Sequence, residues 1–332
     1  MSFTMWPAEF AKDLTEHINA IRTGLLGTTP PRVLFHYTKL EVVRAIANSG
    51  TLWATCVADP GYQDKNEISL GADLIGDEVR RTMRQELSAF SRLVLEGLTE
   101  GIASRKDRTF VACFCANPDS RLHWNRYGSY RLTFETNRHG EPILRPPWGT
   151  YLQYHRVVYG LRRQRNAIRS AIRGALSALD LSVAGTPEGP WIDSFVDITA
   201  KATAELLLDL IVAFKERKYL SEKEWRLVVR PATPMFSTAP DFEDARFDGR
   251  VKESERRYVE LQLALDWPRN VIGGGLRTPP VPFTAVAQSP HSGSPSDLES
   301  IRNILVECDR PDIPVTKVHQ PFLILVRAAA HR

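Results

Sequence analysis

The run Glu222-Lys223-Glu224-Trp225-Arg226-Leu227-Val228-Val229 constrains the fold more than any other segment. Side chains alternate across a strand, so Trp225, Leu227 and Val229 share one face while Glu222, Glu224 and Arg226 share the other. The apolar face anchors the strand on a core. The opposite face carries two carboxylates and a guanidinium about 7 Å apart in succession, at a strand rise of ~3.3 Å per residue. That arrangement suits cleavage of an N-glycosidic bond, because an anionic oxygen beside the sugar stabilises charge that develops only in the transition state. The second carboxylate can orient or deprotonate an acceptor. The same pattern also describes an exposed strand face with ordinary Glu/Arg pairing, which adds little to stability.

A second constraint lies near the N-terminus. Val33-Leu34-Phe35-His36-Tyr37 reads as a short buried strand, and Thr38-Lys39-Leu40-Glu41 fits a capping box with Thr38 as N-cap. Leu40, Val43, Ile46 and Ala47 give the following helix an apolar face, and Gly50 closes it. If Phe35 and Tyr37 pack inward, His36 and Thr38 face the opening where ligands collect. The alternative is a core histidine bonded to a backbone carbonyl, and capping already accounts for Thr38. Residues 110–115 form a β-prone run, after which Trp124 and Tyr127 stand three apart in a segment ended by Gly128. Their rings either stack on a nicotinamide or adenine ring or fill the core under a loop.

Residues 8–25 have helical spacing, with Phe10, Leu14, Ile18, Ile21 and Leu25 on one face, so 1–31 is expected to be an N-terminal docking helix. A long charged helix is expected through about Leu98, another over the arginine-rich stretch after 151–159, and an amphipathic one over about 193–215. Residues 231–257 read as a surface insertion and 288–296 as a polar linker, with late strands at 259–263 and 322–326.

At 332 residues, 43% hydrophobic and 25% charged, the chain matches one or two ordinary globular domains. The N-terminus lacks the basic-then-apolar pattern of a signal peptide, and no stretch approaches ~18 uninterrupted apolar residues, so a cytoplasmic protein without a membrane segment is expected. Cys113, Cys115 and His123 resemble part of a metal set, but the second ligand pair is missing, so buried reduced cysteine and no metal are expected. There is no Gly-x-Gly-x-x-Gly turn, Walker loop or nucleophile elbow, which argues against classical dinucleotide oxidoreductases and P-loop hydrolases. The net charge is +4. Between Leu152 and Leu179 stand Arg156, Arg162, Arg163, Arg165, Arg169 and Arg173 without an Asp or Glu. Arg165, Arg169 and Arg173 form a helical stripe that is either a solvated face or a phosphate-binding surface for nucleic acid or a dinucleotide.

Phe35-His36-Tyr37-Thr38, Leu52-Trp53-Ala54-Thr55, the loop with Asp64 and Glu67, residues 111–115, 122–128 and 157–159, and Glu222-Lys223-Glu224-Trp225-Arg226 together resemble the bacterial domain-of-unknown-function family 2971. That family is similar to ADP-ribosyltransferases of the histidine-aromatic-glutamate type. The resemblance covers roughly 32–276, with 277–332 as a linker and a C-terminal strand packing on the same domain. It implies an α+β fold with a split β-sheet, a central cleft and flanking helices. It further implies an NAD-dependent ADP-ribosyltransferase or NAD glycohydrolase, a glycosyltransferase moving a pentosyl group, of the kind found in toxins and phage defence. NAD would be the substrate, with protein, nucleic acid or water as acceptor. His36 would hold the adenosine-side ribose, an aromatic among Tyr37, Trp124 and Tyr127 would stack on nicotinamide, and Thr38 and Arg226 would complete the binding set. Glu224 would stabilise the oxocarbenium ion, and Glu222 stands where arginine-modifying members carry an extra glutamate. The alternative is a non-catalytic nucleotide- or protein-binding module on the same fold.

Overall fold

The computed structural model describes residues 6–27, 29–59, 62, 64–118, 121–136, 144–145, 150–183, 191–231, 250–251, 257–263, 281–291 and 294–318. The chain is α+β. Its helices are α1 (Trp6–Leu26), α2 (Leu40–Ser49), α3 (Lys65–Met83), α4 (Ala89–Lys106), α5 (Arg121–Tyr127), α6 (Leu161–Val183), α7 (Trp191–Val212) and α8 (Pro295–Glu307), with a 3-10 helix over Arg217–Glu222. The strands are β1 (Val33–Thr38), β2 (Thr51–Cys56), β3 (Phe110–Cys115), β4 (Tyr130–Glu135), β5 (Leu144–Arg145), β6 (Thr150–Arg156), β7 (Val158–Tyr159), β8 (Phe214–Lys215), β9 (Glu224–Pro231), β10 (Arg250–Val251), β11 (Arg257–Leu263), β12 (Ala285–Gln288) and β13 (Val315–Lys317).

Eleven strands join in one mixed sheet, and β7 and β8 form a separate parallel pair. The pairing of β3 creates the opening. One edge of β3 pairs with β9 along its whole length, from Phe110↔Val229 to Cys115↔Glu224. Its other edge is divided: β2 takes Phe110 and Val111, while β1 reaches only Cys115. Ala112, Cys113 and Phe114 therefore have no strand partner on that edge, and β1 and β2 diverge around them. The His36 ring fills one gap, its Nδ1 donating to the Cys113 carbonyl at 3.0 Å.

A core lies on each face of the sheet. On one face Leu14, Ile18, Leu98, Ile168, Leu207 and Ile211 of the helical layer meet Val111 and Val228. On the other, Val43 and Ile301 of α2 and α8 meet Phe110, Phe114, Leu227 and Val229. α7 is buried on nearly every side over 202–212, as an almost wholly apolar helix must be. α1 packs its Phe10–Ile18 face into that layer, and Arg22 binds Asp209 of α7 at 2.8 Å.

Several local expectations are corrected. The charged segment after residue 64 forms two helices, because Ser88 caps α4 by accepting from the Ser91 amide. Helix formers at 84–86 hid that break. Thr38 ends β1 and is not a cap: Lys39 occupies the N-cap of α2 and makes no side-chain cap bond. The expected 193–215 helix stops at Val212, and its last two expected residues are strand. The expected 288–296 linker runs into α8, which starts at a capping box of Ser294 and Asp297 with Pro295 in the first turn. Gly50 closes α2 in the left-handed conformation, as the sequence implies. The 322–326 strand lies outside the described residues, as does most of the 231–257 insertion. Among the described residues no helix is long and apolar enough to cross a membrane.

Gly128 sets how closely the turn after α5 approaches the end of β1. Its φ is +138°, and a Cβ there would overlap the Thr38 carbonyl and stand 2.8 Å from the Lys39 nitrogen. Backbone cannot move aside as a side-chain tip can. Gly128→Ala is expected to destabilise the protein by about 2–4 kcal/mol, read as a lower urea midpoint. An unchanged midpoint would show that the two turns separate freely.

Candidate functional site

β9 begins at Glu224, so Glu222, Glu224 and Arg226 do not share one strand face as expected. Glu222 ends the 3-10 helix, and Lys223 between the glutamates is left-handed, with φ +46°. That turn swings Glu222 back, and both carboxylates still meet at one point, the ammonium of Lys215 on β8. Lys215 Nζ lies 2.5 Å from Glu224 Oε2, 2.8 Å from Glu222 Oε2 and 3.7 Å from Asp64 Oδ2. The other Glu224 oxygen accepts from Arg226 Nε at 2.8 Å. Arg226 also donates to Asp64 at 2.6 Å and to the Val212 carbonyl at 2.5 Å.

The expected open face of β9 is covered by the helical layer, and Arg226 is fully buried. It does not line the cavity; it holds Glu224 and Asp64 in place. Asp64 stands at the N-cap position of α3, yet its carboxylate serves Arg226 and makes no side-chain cap bond.

The two glutamates differ in charge behaviour. Burial opposes ionisation of Glu224, but the charges of Arg226 and Lys215 outweigh it and hold its carboxyl down to about 2. For Glu222 burial prevails over the Lys215 ion pair, and its carboxyl is pushed above the ordinary value. Lys215 is held charged against its own burial, chiefly by Glu224.

These groups line a cavity of ≈590 Å³ where β1 and β2 diverge. His36 and Thr38 line it from β1, Trp53 and Thr55 from β2, and Tyr127 and Arg126 from α5. Burial depresses the His36 pKa more than its bond to the Cys113 carbonyl raises it, which favours the neutral ring. A carbonyl only accepts, so the proton sits on Nδ1 and Nε2 is left as an acceptor. A neutral imidazole held this way suits a ligand hydroxyl.

The three candidate aromatics separate. Tyr37 is buried; its hydroxyl donates to the Asn117 and Pro118 carbonyls at 3.0 and 2.8 Å, and its ring meets Trp124 edge-on at 4.8 Å. Trp124 is buried behind it and does not line the cavity. Both act mainly as wedges that seat α5. Tyr127 is half-buried, lines the cavity, and donates its hydroxyl to Glu222 Oε1 at 3.4 Å. Arg126 approaches the same oxygen at 3.5 Å. Tyr62, unforeseen from sequence, places a buried hydroxyl without a partner among the described residues in the cavity lining.

Asp64, Cys113 and Glu224 offer ligand atoms within 4.8 Å of one another. Two features make this set unsuited to a metal ion. Lys215 and Arg226 already occupy both carboxylates, and burial together with Glu224 pushes the Cys113 thiol up, which disfavours the thiolate a metal would need. Cys115 is likewise pushed up to about 12 by burial, and its thiol donates to the Glu222 carbonyl at 2.9 Å.

The arginine stripe is interrupted. Arg165 and Arg173 are exposed, but Arg169 is half-buried and bonds Glu78 of α3 at 3.1 Å. Glu78 lies far away in sequence, so the stripe only looked free of acids.

The sequence brought forward His36, Tyr127, Glu222 and Glu224, and the fold places them around one cavity. It gave no sign of Lys215, because that residue extends an apparent helix. Comparison of the chain with protein-family models, with curated proteins and with solved structures found no match in any of the three.

Proposed function

We propose that the cavity binds NAD and that the protein cleaves its nicotinamide–ribose bond, passing ADP-ribose to an acceptor or to water on an ADP-ribosyltransferase-like split sheet. The observation that carries this reading is two glutamates with pKa values pushed in opposite directions, side by side in a cavity with a neutral histidine acceptor and a tyrosine face. Opposed carboxylate pKa values divide labour between a permanent charge and a proton acceptor. Glu224, ionised under all ordinary conditions, supplies charge near the ribose C1′ as the bond to nicotinamide nitrogen breaks and the electron pair leaves with nicotinamide. Glu222 takes the proton that the attacking hydroxyl or amine loses as its bond to C1′ forms. His36 Nε2 accepts from a ribose hydroxyl. The buried Tyr62 hydroxyl, which has no partner among the described residues, supports a ligand in the cavity, because buried polar groups normally have partners. The volume falls in the range of small-molecule sites, ~300–1,000 Å³.

One observation favours the second reading, a nucleotide-binding module without turnover: both Glu224 oxygens are committed to cations. Incubation with nicotinamide-labelled NAD decides between them. Release of label indicates the enzyme, saturable binding without release indicates the module, and the absence of both release and binding would exclude an NAD site. For the enzyme, a second readout is pH. Glu222 works only deprotonated and its pKa is raised from 4.5, so activity is expected to fall as pH drops, with the inflection above 4.5. That limb should vanish in Glu222→Gln, and a profile flat down to pH 4.5 would remove Glu222 as the base.

A further inference from the structure

A second cavity, of ≈650 Å³, shares only Glu224 with the lining of the first. Arg156 at the end of β6, Arg163 on α6 and Lys223 line it. A neighbouring recess of ≈350 Å³ shares Tyr159, Arg163 and Leu220 with it and adds Arg162 and Arg217. All five cations are exposed, and none has an ion pair among the described residues. The acid in these linings is Glu224, whose charge Lys215 and Arg226 already engage. Five like charges around contiguous recesses repel one another and raise the local concentration of anions. The N-terminus of the 23-residue helix α6 opens beside them and adds partial positive charge. Lys223 reaches this cavity from a left-handed backbone that non-glycine residues rarely adopt.

We infer that this basic recess binds consecutive phosphates of a single-stranded nucleic acid. Its combined size exceeds what one phosphate fills. Leu25 and the exposed Leu220 line the same walls and offer apolar surface to sugars and bases, whereas Trp225 in that lining is buried. A cationic groove that tracks the phosphate backbone holds single strands without reading sequence. The expected stripe on α6 is a weaker candidate, since Arg169 is committed to Glu78. This site stands independently of NAD turnover in the cleft, and its test reads binding alone.

The test is fluorescence anisotropy of a labelled single strand of about 12 nucleotides with the full chain. Saturable binding is expected at ~50 mM salt, weakening by about 50-fold at ~200 mM if four phosphates are neutralised at ~0.7 counterions each. Arg156→Gln with Arg163→Gln and Lys223→Gln should weaken binding at least about 10-fold with an unchanged thermal midpoint, because all three side chains are exposed. Arg165→Gln with Arg173→Gln should change affinity by less than about twofold. No binding at low salt, an unaltered triple variant, or equal loss in the stripe variant would overturn the inference. So would displacement of the strand by ATP at equal phosphate concentration, which would assign the recess to a mononucleotide.

Discussion

Glu224→Gln is expected to lower nicotinamide release by about 10²-fold or more while leaving NAD binding within a few-fold of wild type. The size follows from removing a preorganised charge aimed at a developing cation, which costs about 10²–10³ in rate. Binding survives because His36, Tyr127 and the cavity walls remain, and because the lost charge matters most when the C1′ cation forms. The substitution also leaves Lys215 and Arg226 with one anion fewer in a buried cluster, and orphaned buried charges destabilise. The double variant Glu224→Gln with Lys215→Met removes one charge of each sign and restores the balance. If both variants keep a wild-type thermal midpoint and both lose release, the loss belongs to the chemistry. Wild-type release from either folded variant would exclude Glu224 as the catalytic group.

Asp209→Asn is expected to destabilise the protein by about 3–5 kcal/mol, the cost of breaking a buried ion pair by removing one partner. Asp209 is fully buried on α7 and binds Arg22 of α1 at 2.8 Å and both terminal nitrogens of Arg230 on β9. It thus ties the N-terminal helix and the site-bearing strand to one point. An asparagine of the same shape leaves the buried Arg22 guanidinium without its countercharge and Arg230 with only Glu205, 3.5 Å away. The thermal midpoint should fall by about 4–7 °C; a fall under about 2 °C would show that the arginines find other partners. A pH signature accompanies this. Burial disfavours the Asp209 charge, but Arg230, Arg22 and His155 outweigh it and hold the carboxyl far below its ordinary 3.8. The unfolded chain takes up that proton first, so the stabilisation is full above 3.8 and is lost as pH falls further. The Asn variant should lack this part of the acid-induced loss.

Alternation in Trp225, Leu227 and Val229, the apolar spacing of α1 and α2, the four-residue arginine spacing of α6, and Gly50 at the end of α2 were legible in the sequence. Each is a local rule: side-chain period and backbone conformation depend on neighbours along the chain. His36, Tyr127, Glu222 and Glu224 were legible as residue types suited to one chemistry. Their surroundings were not. Lys215 meets Glu222 and Glu224 only because α7 ends at Val212 and β8 returns beside β7. Glu78 neutralises Arg169 from another helix, and Trp124 packs edge-on against Tyr37 instead of facing the cavity. Burial and charge pairing depend on contacts between residues distant in sequence, and those contacts set which glutamate stays ionised and which takes a proton. Sequence alone determined which chemical groups the chain possesses and the local elements that carry them; the division of β3 between β1 and β2, and with it the cavity and its electrostatics, was decided by tertiary packing, because a side chain's protonation and exposure are properties of its surroundings in space.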